Sequence, residues 1–282
     1  MRAGIALIAR PPENQPPGSG LQWVTRFGTM AEKLGFAGVW VTDSMGRGRH
    51  TLDPAVTLSA LHAGTSHIEL GTGVLQVPLR RPGELAHRIQ SLNVLLAGRL
   101  RLGVGAGSTR ADFEVAGADY DKRFTTFRES LALMRALWRG ERVNGVSLPA
   151  WPGTEGGPPV FLGAWRSAGT IERAAREFDG WIASGLHSKW EDLETGMKTF
   201  RAHGGKRAIL TNIHTDIHKE LHTETSGGSP SPVHAGTISL QCTPAEARER
   251  LRRIEAIGFD DVMLICHDRS ERHLASVRAL VP

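Results

Sequence analysis

Cysteine is scarce in this chain: its 282 residues hold two, Cys242 and Cys266. Two thiols are too few for a disulfide framework or a four-thiolate metal centre, and they fit a reducing compartment, the cytoplasm. Lysine is scarce too, with six in all. A Schiff-base aldolase needs a lysine inside its barrel, and only Lys206 adjoins an expected strand, at its start, the wrong end. Long apolar runs are missing: residues 5–9 stop at Arg10-Pro11-Pro12, shorter than a signal-peptide core, and no other run approaches the ~20 residues of a membrane span. An excess of one charge is missing as well. The net charge of +5 comes from 34 basic and 29 acidic residues, which share helices, as over 246–253, and so make a solvated face rather than a nucleic-acid stripe. No internal repeat or low-complexity tract appears.

What the chain does have centres on residues 68–114. Residues 68–77 form an apolar, β-branched run with two glycines, halted by Pro78, which cannot continue a strand ladder. Over 83–96, Leu85, Ile89, Leu92 and Leu96 stand four, three and four apart, one stripe of a helix. Residues 100–106 are again a short apolar strand, and Gly103, Gly105 and Gly107 lead into the turn Ser108-Thr109-Arg110. Two parallel strands joined by a helix make a right-handed crossover, with ligands expected beyond the carboxyl ends of the strands. The glycines do not form a dinucleotide fingerprint, because the third glycine of G-x-G-x-x-G would fall at Ser108 or Arg110. They either keep a ligand site bare or relieve crowding between strands.

Around this stretch, strands are expected over 4–9, 38–42, 160–163, 180–183, 207–214 and 261–266, with helices between them. The loop 10–20 is rich in breakers and precedes a helix marked by Trp23, Phe27, Met30, Ala31 and Leu34. Asp53-Pro54 opens a helix as N-cap and first residue. Phe127, Leu131, Met134 and Trp138 mark another, and 143–159 is a long connection. Thr243 and Glu246 form a capping box, and a final helix follows Ser270. Eight strands alternating with helices predict a (β/α)8 TIM barrel, one domain over 1–282 with insertions in its carboxyl-face loops. An open doubly wound sheet is the second choice. Residues 217–240 are polar, rich in glycine and proline and too long for an ordinary connection, and they read as a lid over the site.

LGTGV followed by a proline-started helix, then GRLRLGVGAG and DFE, resembles the luciferase-like family of flavin- and deazaflavin-dependent oxidoreductases. FLGAWRSAGTIERAAREFDGWIASG and TPAEARERLRRIEAIGFDDVMLI are similar to the family's later strand-helix-strand and its closing helix and strand. The likeness covers nearly the whole chain. It implies a barrel enzyme that uses reduced FMN or coenzyme F420 on a small organic substrate, by oxygenation or by hydride transfer. It further implies a flavin reductase or another source of reduced cofactor as partner, and a homodimer formed by barrel-side helices.

The resemblance places Asp43, Ser44, Gly73, Val74, Gln76, Gly107, Ser108, Gly163, Arg166, Ser167, Gly169 and Thr170 at the cofactor, and no metal. Asp43 matches the family's acid beside the ring, where a cap or an ion pair with a loop arginine is the plainer role. Deazaflavin members commonly carry a histidine next to that acid. Here Ser44 stands there, leaving His50 as the stand-in proton donor. Gly73-Val74 matches the position of a non-prolyl cis peptide that bulges against the ring. Ser167 and Thr170, three apart before the ERAA helix, match the family's phosphate site, with a simple N-cap by Ser167 as the alternative and Arg166 as an added charge. Arg47, Arg49, Arg80 and Arg166, near the mouth, tilt the choice toward the more acidic F420.

Two rival functions stand beside this one. His214, His218 and His222 are four apart and would line one helix face as metal ligands in a barrel hydrolase, although no HExxH pattern accompanies them. Ser44 and Ser108, where family members often have larger residues, also fit a flavin-binding protein without catalysis.

Overall fold

A computed structural model describes residues 1–10, 16, 18–217 and 238–281. In chain order the elements are β1 (Arg2–Leu7), α1 (Ser19–Lys33), β2 (Gly38–Val41), α2 (Pro54–Ala63), β3 (Glu69–Gln76), α3 (Pro82–Leu95), β4 (Leu100–Gly105), α4 (Arg110–Ala116), α5 (Arg123–Trp138), β5 (Val160–Gly163), α6 (Ala168–Glu177), β6 (Gly180–Ser184), α7 (Trp190–Ala202), β7 (Ala208–Ile217), β8 (Leu240–Cys242), α8 (Pro244–Ile257), β9 (Asp261–Cys266) and α9 (Glu271–Arg278). The strands follow the order β6-β5-β4-β3-β2-β1-β9-β7-β8, and β6 also pairs with β7. Eight strands therefore close into a parallel ring, the expected TIM barrel. The short β8 is an addition, paired with the far end of β7.

Compactness divides the chain into two units. One comprises Met1–Leu7, Met30–Gly38 and Phe161–Pro282, and the other Ile8–Thr29 with Val39–Val160.

In the second of these units the central crossover forms as its sequence dictates. β3 pairs with β4 in parallel, and a 3-10 turn, Val77–Leu79, takes over where Pro78 ends the ladder. Pro82 opens α3, its fixed φ suiting a first helical turn. The stripe Leu85, Ile89, Leu92 and Leu96 is buried throughout, each leucine contributing ~1.5–3 kcal/mol relative to exposure. Phe127, Leu131, Met134 and Trp138 of α5 are buried likewise, and the Trp138 indole donates to the Ala86 carbonyl of α3 at 3.0 Å.

In the other unit, β1, β5, β6, β7 and β9 make parallel pairs. Thr243 and Glu246 form the expected capping box at the start of α8. Trp181 of β6 is buried between Phe200 and Phe259.

Three elements escaped the sequence reading. α4 is only seven residues long. α7 carries a stripe, Trp190, Leu193, Met197 and Phe200, at helical spacing. β8 has three residues, too few for a period to show. The expected lid over 217–240 lies, past Ile217 and up to 237, outside the described residues, as do His218 and His222. Among the described residues no helix is long and apolar enough to cross a membrane.

Candidate active site

In the unit that contains β2, β3 and β4, the ends of these strands are tied together by two buried carboxylates. Asp43, just beyond β2, is buried. Its Oδ2 accepts from the Gln76 backbone N–H at 2.9 Å and from Arg80 Nη1 at 2.7 Å, and its Oδ1 accepts from Arg80 Nη2 at 3.0 Å. Such a two-pronged pair fixes direction as well as distance. Arg80 also reaches Asp53 at 3.3 Å, the residue whose Oδ1 caps α2 by accepting from Ala55 and Val56. Burial works against the Arg80 charge, but hydrogen bonding and attraction from Asp43 and Asp53 outweigh it and raise its pKa.

Asp112 of α4 is the second carboxylate, with no exposed surface. Its Oδ1 accepts from the backbone N–H groups of Met45 and Gly46 at 3.0 and 2.8 Å, and its Oδ2 from Arg47 Nε and Nη2 at 3.0 and 2.8 Å. Burial would raise its pKa; these bonds and one from Gln76 together hold it below the ordinary value. Gln76 bridges the two acids, its Nε2 donating to the Asp43 carbonyl and to Asp112 Oδ2, both at 3.0 Å. The only sequence trace of Asp112 was its place in the DFE motif.

The floor beside this network is bare. The Gly73–Val74 peptide is cis, and the register of β3 against β4 shifts between Thr72 and Leu75. A Cβ at Gly105 would come within 2.8 Å of Val74 Cγ2, and one at Gly107, whose φ is +84°, within 2.7 Å of Gln76 Oε1. That oxygen is buried and accepts no hydrogen bond from a described residue. Ser44 donates to Thr51 Oγ1 at 3.3 Å, and the Ser108 carbonyl accepts from Tyr120 at 3.2 Å. His50 is exposed, and the side-chain partner that Asp43 has among the described residues is Arg80. Of the arginines expected at the mouth, Arg80 is buried against two carboxylates and supplies no free charge, and Arg47 is engaged by Asp112. Arg49 and Arg166 are exposed.

The other unit holds the start of α6. Ser167 caps it, Oγ accepting from the Thr170 N–H at 3.4 Å, and the Thr170 hydroxyl donates to the same oxygen at 2.9 Å. Both hydroxyls thus converge on the positive end of a helix that has no acidic residue in its first turn. Arg166, Ser167 and Gly169 are exposed, and a Cβ at Gly169 would touch nothing within 4 Å. Gly163 ends β5, and Trp165, between it and the helix, stacks on His187 with ring centres 3.9 Å apart. His214 stands on β7 and pairs with His267. Among the described residues no three His, Cys, Asp or Glu side chains are grouped to hold a metal ion.

A parallel barrel whose polar side chains and bare glycines gather beyond the carboxyl ends of its strands belongs to the class of βα-barrels that carry their chemistry there. The luciferase-like monooxygenase family model matches residues 1–214. A relative, the F420-dependent glucose-6-phosphate dehydrogenase of Beutenbergia cavernae, is 40% identical over 246 residues, 82% of this chain and 70% of that protein. The 5,10-methylenetetrahydromethanopterin reductase of Methanolobus tindarius is 32% identical over 193 residues, 66% of this chain and 56% of its own length. The chain thus spans between about half and 70% of these curated relatives. In the solved structures, the monooxygenase RslO1 from Streptomyces bottropensis superposes with a TM-score of 0.81 at 21% identity, covering 99% of this chain and 97% of that one. The chain belongs to the luciferase-like monooxygenase family.

Proposed function

We propose that this protein is an oxidoreductase that uses a flavin-type ring, coenzyme F420 ahead of FMN, on a small organic substrate. The observation that carries the reading is the close approach at Gly105 and Gly107, where a Cβ would crowd Val74 and Gln76, beside Gln76 Oε1, a buried acceptor with no partner among the described residues. A flat ring bearing N–H groups fits both features. The F420-dependent relative at 40% identity supports the choice of cofactor.

Such a ring, when bound, supplies the electron chemistry itself. The chain's part is to hold and to tune. Gly73, Val74, Gly107 and Ser108 border the ring position, Gln76 offers it an acceptor, and Asp43, saturated by Gln76 and Arg80, acts as a positioning residue rather than a mobile acid. The purified protein should bind F420 in the micromolar range by fluorescence titration. Binding of neither F420 nor FMN would sink the oxidoreductase reading, and binding of FMN alone would turn it to an oxygen-using monooxygenase.

The start of α6 we assign to the cofactor phosphate, with Ser167, Gly169, Thr170 and Arg166 as donors and Gly163 leading into them. Each hydrogen bond to a charged group is worth ~1.5–3 kcal/mol. The double substitution Ser167→Ala, Thr170→Val should therefore weaken cofactor binding well over tenfold. Unchanged affinity with a lowered melting temperature would leave Ser167 as a helix cap and nothing more.

Action in the cytoplasm as a homodimer belongs to the same reading. Both cysteines are unpaired and buried, which suits a reducing compartment. A monomer by light scattering at micromolar concentration would remove the dimer.

A further inference from the structure

The chain holds a single tyrosine, and the fold sets it against the turn that leaves β4. Tyr120 lies between α4 and α5, and its hydroxyl donates to the Ser108 carbonyl at 3.2 Å. Its ring stands at right angles to that of Phe113, centres 5.3 Å apart. Phe113 is wholly buried, and a Cβ at Gly107 would come within 2.8 Å of its Cε2. One side chain thus reaches both Ser108, through its carbonyl, and Gly107, through Phe113.

The turn has little order of its own. Gly107, with φ at +84°, is in a conformation open to glycine, the residue with the most backbone freedom to lose. Thr109 stands at the N-cap of α4 and makes no side-chain cap bond. The helix that follows has seven residues, too few to hold itself. Support must come from further along the chain.

Tyr120 is well fixed to give it. α4 ends at Gly117, and the Ala118 N–H returns to the Phe113 carbonyl at 2.9 Å. Asp119 Oδ1 then accepts from the N–H groups of Asp121 and Lys122 at 2.9 and 3.2 Å, a local turn of the kind aspartate favours. The guanidinium carbons of Arg110 and Arg123 lie 4.4 and 4.0 Å from the centre of the Tyr120 ring, an attraction between cation and ring face. Both arginines are themselves anchored, Arg110 Nη2 donating to Asp121 Oδ1 and Arg123 Nη1 to the Tyr120 carbonyl, each at 2.9 Å. These contacts set the tilt of the ring, and with it the aim of the hydroxyl at Ser108.

We propose that Tyr120 is a positioning residue of the cofactor ring site, fixing the turn over 107–109 before the ring arrives. The inference rests on the ring position assigned under the proposed function, and every residue in it belongs to the unit that contains β2, β3 and β4. A turn ordered in advance binds without paying for its ordering. Freed from Tyr120, it would lose that advantage.

Measurements on the full chain decide it. Y120F keeps the ring, its two guanidiniums and Phe113, and removes one hydroxyl, so its urea midpoint should stay near the parent's. Without cofactor, amide exchange over 107–110 should be faster in Y120F by about 3- to 10-fold, the range for one lost hydrogen bond. The Kd for F420, and for the phosphate-free riboside of its ring, should rise by the same factor. Because the tyrosine is single, fluorotyrosine labelling of the parent gives one fluorine NMR signal, which should shift as F420 saturates the protein. A brace of the fold would show the faster exchange and neither of the other effects. Unchanged affinity in Y120F, unchanged exchange, or a fluorine signal blind to F420 each overturns the proposal while leaving the ring reading in place. If the parent binds neither F420 nor FMN, the ring reading has failed and the proposal falls with it.

Discussion

Substituting Arg80 by methionine should destabilise the protein by about 3–5 kcal/mol, because it removes the partner of a buried charge rather than a surface ion pair. The two side chains are 9% and 2% exposed, so water cannot take over from the lost guanidinium. Among the described residues Asp43 would keep only the Gln76 backbone N–H as a donor to its carboxylate, and Asp53 would lose a tie to the end of β3. Urea unfolding should show a lower midpoint at an unchanged slope. The double variant Asp43→Asn, Arg80→Met should recover part of the loss, since no unpaired charge is then left inside. A single-variant loss under about 1 kcal/mol would show that the pair behaves as surface pairs do. Cofactor affinity should fall with it, because the same guanidinium sets where β3 ends.

Asp112→Ala should be nearly as damaging, at about 3 kcal/mol. Here the cost comes from orphaned donors: the N–H groups of Met45 and Gly46 and the Gln76 amide lose their acceptor in a closed space, at ~1–3 kcal/mol for each group left unsatisfied. Arg47 adds little, because its side chain is 42% exposed and turns to water. How closed the space is shows at Gly46, where a Cβ would stand 2.1 Å from the Ala111 carbonyl oxygen. The pH dependence has a definite sign. The folded-state pKa of Asp112 is depressed below its ordinary 3.8, so its contribution is complete above that value and is lost as pH falls through the lower folded value. Acid unfolding of Asp112→Asn should therefore be less steep below about pH 3.8 than that of the parent. Equal steepness would remove Asp112 from the account.

Where the sequence carried a period or a punctuating residue, it was enough. The α3 stripe, Pro54 and Pro82 at helix starts, the capping box at Thr243, and strands β5 and β9 to the residue are all local facts, set by side-chain spacing and by proline's missing N–H. The barrel follows from counting those elements, and the bare strand ends were legible as glycines. The pairings at the site were not local. Asp112 meets Arg47 across 65 residues and Gln76 across 36, so each contact depends on which strands the closed ring makes neighbours. Arg80 looked like a free charge at the mouth, and only the fold shows it buried against Asp43 and Asp53. A period of two puts His214 on the face opposite Ile209; a bulge at Thr211-Asn212, which no composition announces, puts it on the same one. Helices and strands are decided by neighbours in the chain, whereas the partners of a buried charge are decided by neighbours in space.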